Sequence, residues 1–137
     1  MERWTRFEHW MALNERLLGV IGAATFIAGY GLAVITGLFW PDSGELILIL
    51  VLMGLAVGLL NVTQAEMTPY LIAAIALILI GSTQVFTPLN LLADGFGERV
   101  NLIVRMMAIF TAPAALVTAV RAGMHLARHG ESDSPGQ

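Results

Sequence analysis

The chain has 137 residues and a net charge of −3, and 57% of its residues are hydrophobic whereas only 12% are charged. A soluble domain carries about 25% charged residues, so this composition predicts an integral membrane protein with the lipid bilayer as its main partner. The small net charge provides no basic surface for nucleic acid. Cysteine and lysine are absent, which excludes disulfides, thiolate metal ligands and Schiff-base chemistry.

Residues 2–16 are predicted to form an amphipathic helix that lies on the membrane surface. Trp4 and Trp10 are its predicted anchors in the headgroup layer, while Glu2 and Arg6 can face water. The alternative is a plain extension of the first membrane helix. The apolar run that follows exceeds the ~7–15 residues of a secretory signal, so we expect this first membrane helix to be retained.

Four apolar stretches follow, and each is close to the roughly 20 residues that a helix needs to cross a hydrocarbon core ~30 Å thick. They lie at residues 17–40, 46–63, 69–86 and 99–121. We therefore predict an all-α, polytopic membrane protein with four transmembrane helices in an up-down bundle. Residues 1–126 form its single domain, and residues 127–137 form a disordered polar tail.

Turn and cap residues define the ends of these stretches. Trp40, the third predicted anchor, and Pro41 combine an interfacial aromatic residue with a helix stop. The turn at 42–45 has the spacing of a capping box for the second helix. The third helix is expected to run to Phe86. For residues 87–97 two interpretations stay open: a short segment at the membrane interface or an ordinary Gly-rich linker.

Arginine placement predicts the orientation of the helices, because cytoplasmic loops are enriched in positively charged residues. With four crossings, both termini share one side with five arginines, and Arg99 and Arg105 lie on the other side. We therefore expect a multi-pass protein of the cell membrane with both termini in the cytoplasm.

Small residues at four-residue spacing are typical of membrane helices that approach each other closely, as in the GxxxG motif. Three such series occur in the first, second and fourth predicted helices: Gly29, Ala33 and Gly37; Gly54 and Gly58; Ala115 and Ala119. Some of these residues must pack helices within the monomer. We expect at least one series to form an interface between copies.

Arg105 is a charged residue inside a predicted span, and intramembrane charges are functional candidates. Glu98 and Arg105 lie seven residues apart, on one face of the fourth helix. Our preferred interpretation is that Arg105 extends to the outer headgroups or pairs with Glu98 or Asp94. The alternative is a polar pore or an anion site built around Arg105.

The segment Arg6-Phe7-Glu8-His9-Trp10 resembles the Arg-x-x-His-Trp opening of membrane di-haem cytochrome b subunits. The resemblance implies that His9 is an axial haem ligand, and the predicted topology brings His125 to the same membrane face as a candidate second ligand. In that family further histidines lie within the helices, whereas here none lies inside a predicted span. We therefore expect no cofactor and no metal site.

No nucleophile with a base, no paired carboxylates and no metal-ligand cluster is visible in the sequence, so we predict a protein that is not an enzyme. The preferred function is a structural or interaction subunit that self-associates as a homo-oligomer or scaffolds a larger membrane complex. The alternative is a small channel, carrier or transport accessory subunit that uses Arg105. A haem-binding redox subunit is the third and least favoured function.

Overall fold

The computed structural model describes residues 2–60, 62 and 66–129, with side chains for residues 19–60, 62 and 66–128. Over this part of the chain the fold is all-α, as predicted, and contains no strand. Its elements are α1 (Glu2–Phe39), α2 (Gly44–Leu60), α3 (Met67–Ser82), a short 3-10 helix (Thr87–Leu91) and α4 (Phe96–His129).

α1 is one unbroken helix, so the interfacial helix predicted over residues 2–16 is not a separate element. Residues 2–18 continue the first apolar helix, and their location at the membrane surface stays a prediction. The physical reason for the continuous helix is that no Gly or Pro occurs between Glu2 and Leu18 to break or bend it. The side chains of Trp4 and Trp10 lie outside the described residues, and their role as anchors stays a prediction.

α3 ends at Ser82 and not at Phe86, where the sequence predicted its end. The hydroxyls of Ser82 and Thr83 donate hydrogen bonds to the carbonyl oxygen of Leu79, at 2.9 and 3.1 Å. Such side-chain bonds compete with the backbone pattern of a continuing helix. The chain therefore turns through residues 83–86 and enters the 3-10 helix.

The second and fourth helices also differ from their predicted bounds. α2 stops at Leu60, before the predicted end at residue 63. α4 begins at Phe96 and extends to His129, beyond the predicted 99–121. The added last turns contain Ala, Met, Leu and Arg, which favour helix, so the first residues of the predicted tail are helical. Residues 130–137 lie outside the described part of the chain.

α4 is the central helix, because α1, α2 and α3 each pack along it. α1 also packs against α2, whereas α3 makes no comparable packing with α1 or α2 among the described residues. α1 and α3 run antiparallel to α4, and α2 runs parallel to it. The residue pairs that define these directions are Gly37–Ile103 and Gly29–Phe110 for α1, Gly54–Phe110 and Gly58–Ala114 for α2, and Gly81–Ala108 and Met67–Arg121 for α3.

The centre of the bundle is apolar and surrounds the ring of Phe110 on α4. Its buried members come from three helices and are Ala33, Leu50, Val57, Met106 and Phe110. Phe26 and Tyr30 of α1 pack against the Phe110 ring, with ring centroids 6.2 and 5.2 Å from it. The Tyr30 hydroxyl lies 2.8 Å from Thr111 Oγ1, and Thr111 in turn donates to the carbonyl of Met107. This partly buried polar contact between α1 and α4 is therefore satisfied.

The outside of the bundle carries many exposed large apolar side chains on every helix. α1 over Gly19–Phe39 and α4 over Phe96–Arg128 are long and apolar enough to cross a membrane. α2 and α3 have 17 and 16 residues and are therefore about 25 Å long. Two helices of membrane-spanning length and this apolar surface together indicate membrane association.

Candidate functional site

A cleft of about 670 Å³ opens between the end of α3 and the first half of α4. Its outer part is polar and is lined by Ser82, Thr83, Gln84, Glu98, Asn101 and Arg105. Its deeper part is apolar and includes Ile78, Ala108, Ile109 and Ala112. The cleft is therefore amphiphilic, with both of its charged residues toward one end.

Gly81 sets the floor of this cleft by bringing α3 onto α4. A Cβ atom at Gly81 would lie 2.6 Å from the Ala108 Cβ and 3.0 Å from the Val104 carbonyl oxygen. The two backbones thus meet at Gly81, where only a glycine fits without displacing α4. α3 ends one residue later, at Ser82. The chain then diverges from α4, and the cleft opens between residues 82–84 and α4.

Two asparagines hold the connection between α3 and α4 beside the cleft. Asn101 Oδ1 accepts a hydrogen bond from the Phe86 N–H at 3.1 Å, and its Nδ2 donates to the Thr87 hydroxyl at 3.2 Å. Asn90 Oδ1 accepts from the Gly97 N–H at 2.7 Å. Residues 87–95 therefore form a 3-10 helix and a turn that are hydrogen-bonded to α4, and their position at the membrane interface stays a prediction.

Arg105 and Glu98 both line the cleft but form no ion pair with each other in the described structure. No ion pair joins Arg105 to Asp94 either, so the pairing partners considered from the sequence are not used. The Arg105 side chain is exposed, and the seven residues between it and Glu98 correspond to about 10 Å along the helix axis. The cleft thus presents one cation and one anion at different depths.

The predicted small-residue series lie mainly between helices of the same chain. A Cβ at Gly29 would collide with the Phe110 ring, and one at Gly37 would lie 2.6 Å from the Ile103 Cα. Ala33, between these glycines, is fully buried. α1 can approach α4 this closely only because the residues on its contact face are glycine and alanine.

The second and fourth helices use their small residues in the same way. A Cβ at Gly54 would collide with the Phe110 carbonyl oxygen, and one at Gly58 would lie 2.7 Å from the Ala114 Cα. Ala115 is buried beside Ala114, whereas Ala119 is exposed. Of the predicted series, Ala119 alone faces outward.

Arg121 has a role that the sequence analysis missed, since it was considered only for orientation. Its guanidinium donates to the carbonyl oxygens of Gly58 at 3.4 Å and Val62 at 3.2 Å. These carbonyls lie at the C-terminal end of α2, where a helix has unpaired acceptors and a partial negative charge. The signal in the sequence was an arginine at the end of an apolar stretch, but its partner lies 59 to 63 residues away.

The remaining predicted residues lie apart from the cleft. Trp40 follows α1 and is 59% exposed, with its ring against Phe39. His125 lies on α4 beside a smaller cleft that Arg121 also lines, and the side chain of His9 is outside the described residues. Among the described residues, no three His, Asp or Glu side chains are grouped as metal ligands.

Comparison of the chain with protein-family models, with curated proteins and with solved structures finds no match. Function is therefore inferred from the residues and their geometry.

Proposed function

We propose that the protein crosses the membrane four times, with both termini in the cytoplasm, and acts as a structural or interaction subunit that self-associates. The alternating directions of the helices support four crossings. α4 carries no charge between Arg105 and Arg121, which are sixteen residues and therefore about 24 Å apart. This length matches the ~25 Å of α2 and α3, so three helices are suited to the same apolar layer.

The observation that carries the assembly proposal is that α1 has small residues on two opposite faces. Gly29, Ala33 and Gly37 face α4. Ala24, Ala28 and Gly31 form a second series on the opposite, exposed face, and a Cβ at Gly31 would have no atom of the same chain within 4 Å.

An exposed glycine in the middle of a helix lowers the stability of that helix, and in a monomer it makes no close contact that would offset the loss. Glycine destabilises a helix interior by about 0.5–1 kcal/mol relative to alanine, and lipid chains can cover a larger side chain at least as well. Small residues at helical spacing let a second helix approach closely. The outward face of α1 is therefore suited to packing against the same face of a second copy.

The alternative of a channel or carrier through Arg105 has less support. α4 packs closely against the other three helices at five glycines: Gly29, Gly37, Gly54, Gly58 and Gly81. No open channel therefore runs between α4 and any of these helices. The centre around Phe110 is apolar. A permeating ion would have no polar path past this centre within the described bundle.

The absence of cysteine permits a direct test of self-association. Gly31→Cys should give a disulfide-linked dimer when native membranes are oxidised, because an isologous contact brings both copies of residue 31 within the ~4.4–6.8 Å Cα separation that a disulfide needs. Ile75→Cys, on the exposed face of α3, is the matched control and should remain monomeric. Absence of the Gly31→Cys dimer, or equal dimer yields at both positions, would contradict self-association through α1.

A further inference from the structure

We propose that the cleft between α3 and α4 binds one zwitterionic phospholipid of the ethanolamine class. Its phosphate lies at Arg105, its ammonium group at Glu98, and one acyl chain follows the apolar wall. This inference rests on the proposed membrane embedding, and it gives the Arg105 guanidinium an anionic ligand.

The order of chemical groups along the cleft is the order of groups along such a lipid. From the middle of α4 toward its start, the wall is apolar at Ala112 and Ala108, cationic at Arg105 and anionic at Glu98. A phosphatidylethanolamine molecule runs from acyl chain to phosphate to ammonium in the same direction, because its amine lies farthest from the hydrocarbon.

The charges of Arg105 and Glu98 also favour a zwitterionic lipid in the cleft. An arginine near apolar walls is costly unless an anion pairs with it, and Arg105 has no ion pair among the described residues. A guanidinium matches phosphate geometry through two parallel hydrogen bonds. The ~10 Å axial separation between Arg105 and Glu98 is too wide for a relaxed direct pair, but it accommodates a phosphate and an ammonium joined by two carbons.

The shape of the deeper cleft favours an acyl chain over a small anion. Gly81, Ala108 and Ala112 present little side-chain volume, while Ile78 and Ile109 complete an apolar wall. Free phosphate would contact Arg105 but leave this wall uncovered. A lipid in the bilayer is already out of water, so this wall positions the acyl chain by packing contacts.

The test is native mass spectrometry of the full chain, purified in mild detergent and supplied with phosphatidylethanolamine or phosphatidylglycerol. We expect the wild type to retain phosphatidylethanolamine preferentially. Arg105→Gln should weaken this retention roughly tenfold or more, since a charge-assisted contact is lost. Arg99→Gln is the matched control, because Arg99 lies on α4 next to Glu98 but does not line the cleft.

A second variant tests the acyl-chain part without changing charge. Ala112→Phe should fill the deeper cleft and reduce retention, whereas Leu116→Phe, on an exposed position outside the cleft, should not. Excess inorganic phosphate should not displace the lipid. Three results would each overturn the proposal. They are equal retention of phosphatidylethanolamine by the wild type and both variants, preferential retention of phosphatidylglycerol, and displacement of the lipid by phosphate. The same spectra report copy number, so loss of self-association with lipid retained would contradict the proposed function alone.

Discussion

Replacing Gly54 by alanine adds one methyl group at the closest contact between α2 and α4. The new Cβ would collide with the Phe110 carbonyl oxygen and lie 2.9 Å from the Pro113 Cγ. Neither neighbour can rotate away, since one belongs to the α4 backbone and the other to a closed ring. Overpacking of this kind costs about 1–3 kcal/mol, and rigid neighbours place Gly54→Ala near the upper value.

Alanine also favours the helix over glycine, by up to about 1 kcal/mol. The expected net effect of Gly54→Ala is therefore a loss of about 2 kcal/mol in the free energy of unfolding. Gly123→Ala is the matched control on α4, because its Cβ would meet nothing within 4 Å and should stabilise by up to about 1 kcal/mol.

The measurement is unfolding by sodium dodecyl sulfate titrated into mild-detergent micelles and followed by far-ultraviolet circular dichroism. A gap of about 3 kcal/mol between the two variants is expected from these values. If Gly54→Ala unfolds at the same detergent fraction as Gly123→Ala, or at a higher one, the close approach of α2 to α4 is not the packing that holds the bundle.

Two further predictions concern the ends of the helices. Arg121→Met should destabilise the protein by about 1 kcal/mol, because the Gly58 and Val62 carbonyls lose a charged donor, and Arg128→Met should be neutral in the same unfolding titration. Reporter domains fused before Trp4 and after Gln137 should both be cytoplasmic, and one inserted at Ser43 should be external; opposite locations for the two terminal reporters would exclude four crossings.

Local signals in the sequence predicted the helices well but not their partners. Gly54 and Gly58 indicated close packing by their spacing alone, yet α4 is their partner because Ala114 and the Phe110 carbonyl meet them in three dimensions. Val85 and Phe86 are apolar, so the sequence prediction extended α3 through the polar Ser82, Thr83 and Gln84 to Phe86. The end of α3 instead depends on hydroxyl hydrogen bonds, which hydropathy does not register.

Local sequence patterns also did not predict the polar contacts between residues far apart in the chain. Tyr30 and Thr111 are separated by 81 residues, and nothing in either neighbourhood indicates that the hydroxyls meet. Asn101 is a second example. Its bonds to Phe86 and Thr87 require knowledge of how the preceding connection folds back on α4.

The shortness of α2 and α3 would also affect the lipids around the protein. A hydrocarbon core is ~30 Å thick, so helices of ~25 Å would force neighbouring acyl chains to compress, at fractions of a kcal/mol per Å of hydrophobic mismatch. Two associated copies are surrounded by one shared ring of compressed lipid instead of two complete rings. The elastic energy released would draw copies together and would favour thinner membranes, independently of any contact between their side chains.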